Sequence, residues 1–344
     1  MSTLKKKMGA KNKMRMKTFH KWSILEPELH EHSLSYFSSK SLFKYAQCSK
    51  LSNDEIQKFN THAPWQVGLK ELDDGMVVTL AYECCHNHEF YFAKVDDTHY
   101  KFAWNEKSIS RGATELNNFS NFSIIEGNAH EAALQYLAKR FKYVKTGTTS
   151  SVSINCKTWP LECETILMIY QAKTWTVQLY PTIYERFMKV MKENRNIKYL
   201  TFSTCKSNRD NMLIPTEFFK SELFKQLEEL YIDMKSLPQD DDFLTSNASI
   251  LNLNCDTISI DAIHRKINSW YDGRIPDFTF SISFPTHRVL RLTDIFGDIP
   301  IMHQETDTIF TIQRSDGQRA EVYCDASLDF VEFVPVEFFP PSLL

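Results

Sequence analysis

The sequence predicts an α+β chain: a small N-terminal helical unit of three helices, a β-meander, then an irregular β/α solenoid closed by a C-terminal β-hairpin. Three observations predict this. Apolar residues recur at helical spacing over residues 19–62. The period changes to two over residues 64–125. From about residue 150 short β-type runs recur with amphipathic helical stretches between them. The expected divisions are residues 1–18 (a basic tail), 19–62 (the helical unit), 63–147 (β-rich with one helix) and 148–344 (the solenoid).

In the helical unit, Pro27 suits a first helical turn. Leu29, Leu34 and Phe37 form one apolar stripe, and Leu42, Phe43, Ala46 and Cys48 form a second. Ser52 to Glu55 reads as a capping box that opens a third helix through Ile56 and Phe59. Three helices in so few residues bury little by themselves, so this unit calls for a neighbour or a partner.

Next come the β-type runs Met76 to Tyr82, Glu89 to Val95 and Tyr100 to Trp104, separated by Asp73-Asp74-Gly75 and Asp96-Asp97-Thr98. Asn128, with Glu131 three residues on, caps a helix lined by Ala133, Leu134, Leu137 and Phe141. The later runs are Ser151–Ile154, Thr176–Leu179, Tyr199–Phe202, Glu229–Ile232, Leu251–Leu253 and Phe278–Ile282. Their spacing of roughly 20–30 residues is the span of a leucine-rich-type unit. Thr182 to Glu185 reads as a capping box, and Ile260, Ile263, Ile267 and Trp270 line one helix face, with Gly273 as its stop. Asp316-Gly317, between Ile309–Arg314 and Ala320–Tyr323, is a strong hairpin signal.

Composition narrows the function. Hydrophobic residues make up 42% and charged residues 24% of the 344, which are globular values. Residues 1–17 hold seven of the 40 cations and no acid, which leaves 33 cations against 43 acids from residue 18 on, a net −10. An acidic body disfavours a phosphate backbone, so no nucleic-acid partner is expected. No apolar run reaches the ~20 residues of a membrane-spanning helix, so no membrane role is expected, and the eight scattered cysteines read as reduced thiols of a cytoplasmic or nuclear protein.

With only nine glycines and no Gly-rich phosphate loop, no HExxH and no GxSxG, the chain is expected to be no enzyme and to carry no cofactor. Cys84-Cys85-His86-Asn87-His88 is the one cluster of metal-ligand types. Adjacent cysteines on a strand point to opposite faces, and no second pair at zinc spacing completes a site, so no metal is expected. Asp240-Asp241-Asp242 reads as a solvated turn rather than a cation loop.

Residues 19–60 resemble an F-box. Leu25, Pro27, Glu28, Leu29, Phe37, Leu42, Phe43 and Cys48-Ser49-Lys50 carry the resemblance, with Glu26 interrupting the usual Leu-Pro. The C-terminal half resembles the type 2 F-box-associated domain of nematode families. Two segments carry this: the one from Ile263 to Gly273 and the one from Ile309 to Val322, with its Arg314, Asp316 and Gly317. The resemblance implies a substrate receptor of a Skp–cullin–F-box ubiquitin ligase. Leu25, Pro27, Leu29, Leu34, Phe37, Leu42, Phe43 and Cys48 would face the Skp adaptor, and through it cullin. A leucine-rich-repeat-like C-terminal domain would hold a protein substrate, a toxin or foreign protein among the candidates. The alternative is a stand-alone binder that sequesters its partner without degrading it.

Overall fold

The computed structural model describes residues 66–83, 86–108, 122–141, 151–157, 172–193, 196–205, 212–286, 291–325 and 329–336. These form one continuous mixed sheet of sixteen strands with seven helices among them. The sheet begins in its own middle. Strand β1 (Gln66–Leu72) pairs antiparallel with β2 (Gly75–Glu83), and the meander runs outward through β3 (His86–Lys94) and β4 (His99–Ser108) to β5 (Ser123–Glu126) at one edge.

Helix α1 (Ala129–Phe141) then crosses over β2 and β3 to β6 (Ser151–Asn155), which pairs parallel with the other side of β1. Strands β7 (Thr174–Leu179), β8 (Tyr199–Thr204), β10 (Glu229–Ser236), β11 (Ile250–Asn254) and β12 (Thr279–Ser283) extend this parallel block. The two-residue β9 (Leu213–Ile214) joins β10 from outside the main path. The chain then jumps to the far edge at β13 (Ile301–Thr306) and returns antiparallel through β14 (Ile309–Gln313) and β15 (Arg319–Asp325). It ends on β16 (Phe330–Val336), beside β12.

Two helix starts follow their local sequence. Asn128 Oδ1 accepts from the backbone N–H groups of His130 and Glu131, capping α1. Ser259 caps α6 (Ile260–Tyr271), its hydroxyl accepting from Ala262 N, and Gly273 follows the helix at φ +70°. Helix α2 (Tyr184–Glu193) starts just after Thr182, whose hydroxyl donates to the Lys157 carbonyl. Helices α3 (Thr216–Phe219) and α4 (Glu222–Gln226) sit between β9 and β10, and α7 (Leu292–Phe296) packs on α6.

The trio Asp240-Asp241-Asp242 is not a plain turn. It opens helix α5 (Asp240–Thr245), where carboxylates favour the positive end of the helix dipole. Asp240 also accepts from the backbone N and the hydroxyl of Ser259, tying this helix start to the next one.

The parallel strands alternate buried and open residues, as in the iBiBi patterns of β6, β11 and β12. A parallel sheet covered on both faces would read as continuous apolar runs. Period-two burial therefore places the helices on one face only. On that face one row crosses the sheet in register: Leu80, Val67, Val152, Trp175, Leu200, Leu230, Leu251, Phe280, Phe333, Val322 and Phe310. All are buried in one core.

The expected α+β class is corrected by this sheet. The described part is mainly β, and the expected meander, leucine-rich-repeat-like solenoid and hairpin are one sheet. The reason lies in two strands. β1 pairs with β2 on one side and β6 on the other, and β12 pairs with β11 and β16. Each end of the parallel block therefore continues into an antiparallel meander. The expected three-helix unit at residues 19–62 lies outside the described residues.

One buried cation ties the helical layer together. Lys266, on α6 and 6% exposed, donates to the carbonyls of Phe243, Leu244 and Ser246 at 3.1, 3.1 and 3.2 Å. These carbonyls lie at the C-terminal end of α5, where helix carbonyls lack a full set of intrahelical donors; that of Phe243 also accepts from Ser246 N. The ammonium also lies 5.2 Å from the Phe278 ring centre and 5.6 Å from that of Phe243. Burial pushes its pKa down to about 8 from 10.5.

Lys266→Met should cost about 2–4 kcal/mol in urea unfolding, because the buried carbonyls lose their donor. Between about pH 8 and 10.5 the unfolded lysine holds more proton than the folded one, so raising pH adds stability from this group. The advantage of the wild type over Lys266→Met should therefore widen from pH 7 to pH 9.5. A gap that narrows would show that the carbonyls and rings raise this pKa rather than lower it.

Candidate binding surface

The face without helices carries its own register row. Thr79, Gly68, Ser153, Thr176, Thr201, Tyr231, Asn252, Ser281, Glu332, Tyr323 and Ile309 are successive cross-strand partners. From β1 to β8 the row is a bed of glycine, serine and threonine. Small hydroxyl side chains leave the backbone surface low and offer both donors and acceptors.

Beside this bed, Tyr231 and Tyr323 are partly open while Tyr91 is buried against Val77 and Ala103, and each belongs to a Glu-x-Tyr pair on one strand, two residues apart, so that both side chains share a face. The pairs are Glu89 and Tyr91 on β3, Glu229 and Tyr231 on β10, and Glu321 and Tyr323 on β15. At the usual strand spacing they lie roughly 29 Å and 19 Å apart across the sheet.

The phenols of Tyr91 and Tyr323 donate to Glu89 and Glu321, the latter at 2.5 Å. That hydrogen bond, with burial and the nearby charges of Glu321, Glu332 and Glu305, pushes Tyr323 up to about 12. Tyr91 is raised by burial first and then by Glu89, and Tyr231 by burial and then by Glu229. Burial also raises Glu332, which faces Tyr323 across the strand pair. No cation among the described residues forms an ion pair with Glu321 or Glu332.

The two C-terminal segments singled out in the sequence meet at one corner on the helix-covered side of the sheet. Trp270 of α6 is fully buried, and its indole N–H donates to Asp277 at 2.8 Å. The Arg314 guanidinium lies 5.1 Å over the Trp270 ring and pairs through two nitrogens with Asp316. Asp316 also accepts from Gln318 N, and Gly317 completes the turn at φ +90°. The hairpin turn is thus fastened to the helix by a cation on an aromatic face. Phe333 meets the same indole edge-on at 5.2 Å.

Beside this corner opens a cleft of 520 Å³, lined by Ser249, Asp277, Phe278, Thr279, Gln318, Arg319, Pro335 and Val336. The Gln318 side-chain oxygen is buried there without a hydrogen-bond partner. Arg319 Nε donates to Gln313 at 3.2 Å.

The thiols of Cys156 and Cys324 lie in the buried core. Burial pushes Cys156 and Cys324 up to about 12, far from the thiolate form. Among the described residues no group of three His, Cys, Asp or Glu could hold a metal, and His88 lies in the apolar layer at 1% exposure. No described helix is long and apolar enough to cross a membrane.

This chain is similar to an uncharacterized F-box protein of Caenorhabditis elegans. The two are 22% identical over 228 residues, which cover 63% of this chain and 57% of that protein. No family model and no solved structure matches. The likeness agrees with the F-box resemblance of residues 19–60; the finer assignment to a type 2 F-box-associated domain has no support in it.

The adaptor-facing residues Leu25, Pro27, Leu29, Leu34, Phe37, Leu42, Phe43 and Cys48 all lie outside the described residues. What sequence reasoning missed is the open face itself. The Glu-x-Tyr repeat is visible in the sequence, yet only the structure shows that Tyr231 and Tyr323 are partly open while Tyr91 is buried.

Arg314→Ala should lower stability by about 1–2 kcal/mol, since a partly desolvated cation leaves an indole face. Arg314→Lys should recover less than half of that, because an ammonium cannot form the two-nitrogen pair with Asp316. Thermal unfolding of the three proteins reads both effects, and equal melting temperatures would remove the fastening role.

Proposed function

We propose that this chain is the substrate-receptor subunit of a Skp–cullin–F-box ubiquitin ligase. In this reading residues 19–62 dock on the Skp adaptor, and the open sheet face holds a protein substrate whose lysines then receive ubiquitin. The observation that carries the reading is the likeness to an F-box protein. The face supports it in a second way. It is long, polar and tyrosine-bearing, and tyrosine is enriched where proteins bind proteins. Such a subunit needs no catalytic residue and no cofactor, and it would work in the cytoplasm or the nucleus.

A second reading keeps the binding face and drops the ligase. Glu26 separates Leu25 from Pro27, a departure from the usual Leu-Pro start, and a weakened box would leave a protein that only sequesters its partner. Proteasome inhibition separates the two readings, since partner levels rise under the first and stay level under the second.

The direct test is co-purification of the full chain with the Skp adaptor. The double variant Pro27→Ala, Leu29→Ala should retain less than about a tenth of the adaptor, as expected for loss of interface anchors. Its thermal unfolding should match that of the wild type. Undiminished adaptor binding would overturn the docking assignment.

A further inference from the structure

The outermost strand of the meander is paired on one side only. Strand β5 lies against β4 and has no second neighbour among the described residues. It is exposed along its whole length, with Ile124 at 58% and Ile125 at 38%, and Phe122 just before it is 50% exposed. Edge strands are commonly protected by lysine, proline or a bulge. Residues 122–126 hold no lysine and no proline, and the β4–β5 register runs without a shift. The opposite edge, β13, is irregular at two points. β5 is therefore the regular, open edge of this sheet.

Hydrogen-bond parity fixes how a further strand joins it. The Gly127 N–H donates to the Thr98 carbonyl at 2.7 Å, so these two residues form a hydrogen-bonded pair of the antiparallel ladder. Such pairs alternate with pairs whose backbone groups point away. Ser123 and Ile125 therefore spend their backbone groups on β4, and Phe122, Ile124 and Glu126 turn theirs outward. An incoming antiparallel strand must present outward groups of the same parity. A second copy of β5 does so about a two-fold axis at Ile124. Ile124 then stands opposite Ile124 of the other copy, and Phe122 stands opposite its Glu126.

The side chains of this register complement one another. Phe122, Ile124 and Glu126 share one face, and Lys101 is the cross-strand neighbour of Ile124 on β4. The Lys101 ammonium lies 4.8 Å from the centre of the Phe122 ring. Within one copy neither Lys101 nor Glu126 forms an ion pair among the described residues. Pairing of two copies brings each Glu126 beside a Phe122 that carries a Lys101, so both charges gain a counterpart. Helix α1 packs on β2 and β3, which sets the two α1 helices roughly 29 Å apart at the usual strand spacing. A helix is only ~10–12 Å across, so these layers do not collide.

We propose that two copies of this chain join edge to edge through antiparallel β5 strands, two-fold related at Ile124, and so make one sheet of two. A contact of this isologous kind closes on itself and stops at two copies. Two strands of about five residues bury less than the ~1,200–2,000 Å² of a stable interface, so the dimer dissociates on dilution. The pairing is independent of the ligase reading.

Sedimentation equilibrium of the full chain, from about 1 to 500 µM, reads the monomer–dimer constant, and the wild type should show a Kd of about 10–100 µM. Ile124→Lys places like charges opposite each other on the axis and should weaken dimerisation at least about tenfold. Glu126→Lys and Lys101→Glu should each weaken it about threefold to tenfold, and the double exchange Lys101→Glu, Glu126→Lys should return it to within about threefold of wild type. Ile301→Lys, on the opposite edge, should change it less than about twofold.

A chain that stays monomeric throughout, or that builds species larger than a dimer, overturns the proposal. So does a dimer that Ile301→Lys weakens as much as Ile124→Lys does, and so does a double exchange that restores nothing. Matching melting temperatures in dilute solution keep the comparison free of unfolding.

Discussion

Parallel strands need crossovers, and a crossover of 20 or so residues has room for one short helix. When all these helices lie on the same side, the strands must alternate apolar and polar residues, because one face meets helices and the other meets water. The buried row from Leu80 to Phe310 meets this constraint in strand after strand. Its consequence is the open face. A doubly covered sheet would have hidden the backbone surface that Ser153, Thr176 and Thr201 now line, and the Glu-x-Tyr pairs would have nowhere to stand.

The same constraint explains how the sheet is finished. A parallel block covered on one side leaves two edges with unpaired backbone, a hazard for unintended pairing. Here each end strand is continued antiparallel, by β2 to β5 on one side and by β16 to β13 on the other. The outermost strand β13 is exposed along its whole length, with Met302 at 54%, but its pairing with β14 is irregular at two points. Irregularities of this kind twist an edge away from a flat partner.

Much of the strand content was legible in the sequence, because period-two alternation is a local property. The runs at 151–154, 176–179, 199–202, 229–232, 251–253 and 278–282 fall on β6, β7, β8, β10, β11 and β12. Asn128 and Ser259 act through side chains on backbone groups two or three residues away, and Gly273 and Gly317 through their own backbone, so all four effects are local, and all but Ser259 are legible as caps, stops or turns. Pairing was not legible, because nothing in Gln66–Leu72 says that its second neighbour lies some eighty residues on. For the same reason the meander and the solenoid looked like separate units. Lys266 gave no signal either, since a lysine on a helix reads as solvated until Phe243 and Phe278 are seen to enclose it.

The corner at Trp270 shows how distant segments become one site. Arg314 and Asp316 belong to a hairpin turn, Trp270 to a helix, and Asp277 to the loop before β12. The turn requires Gly317, and the turn geometry places Arg314 over the indole and Gln318 at the cleft wall. Holding that wall rigidly matters for recognition. A side chain fixed beforehand loses little freedom on binding, so more of each contact's free energy remains as affinity. The ion pair between Arg314 and Asp316 also keeps both charges occupied with each other. Arg314 also acts on Asp277, so the turn, the helix and the loop before β12 answer one another's charges at this corner.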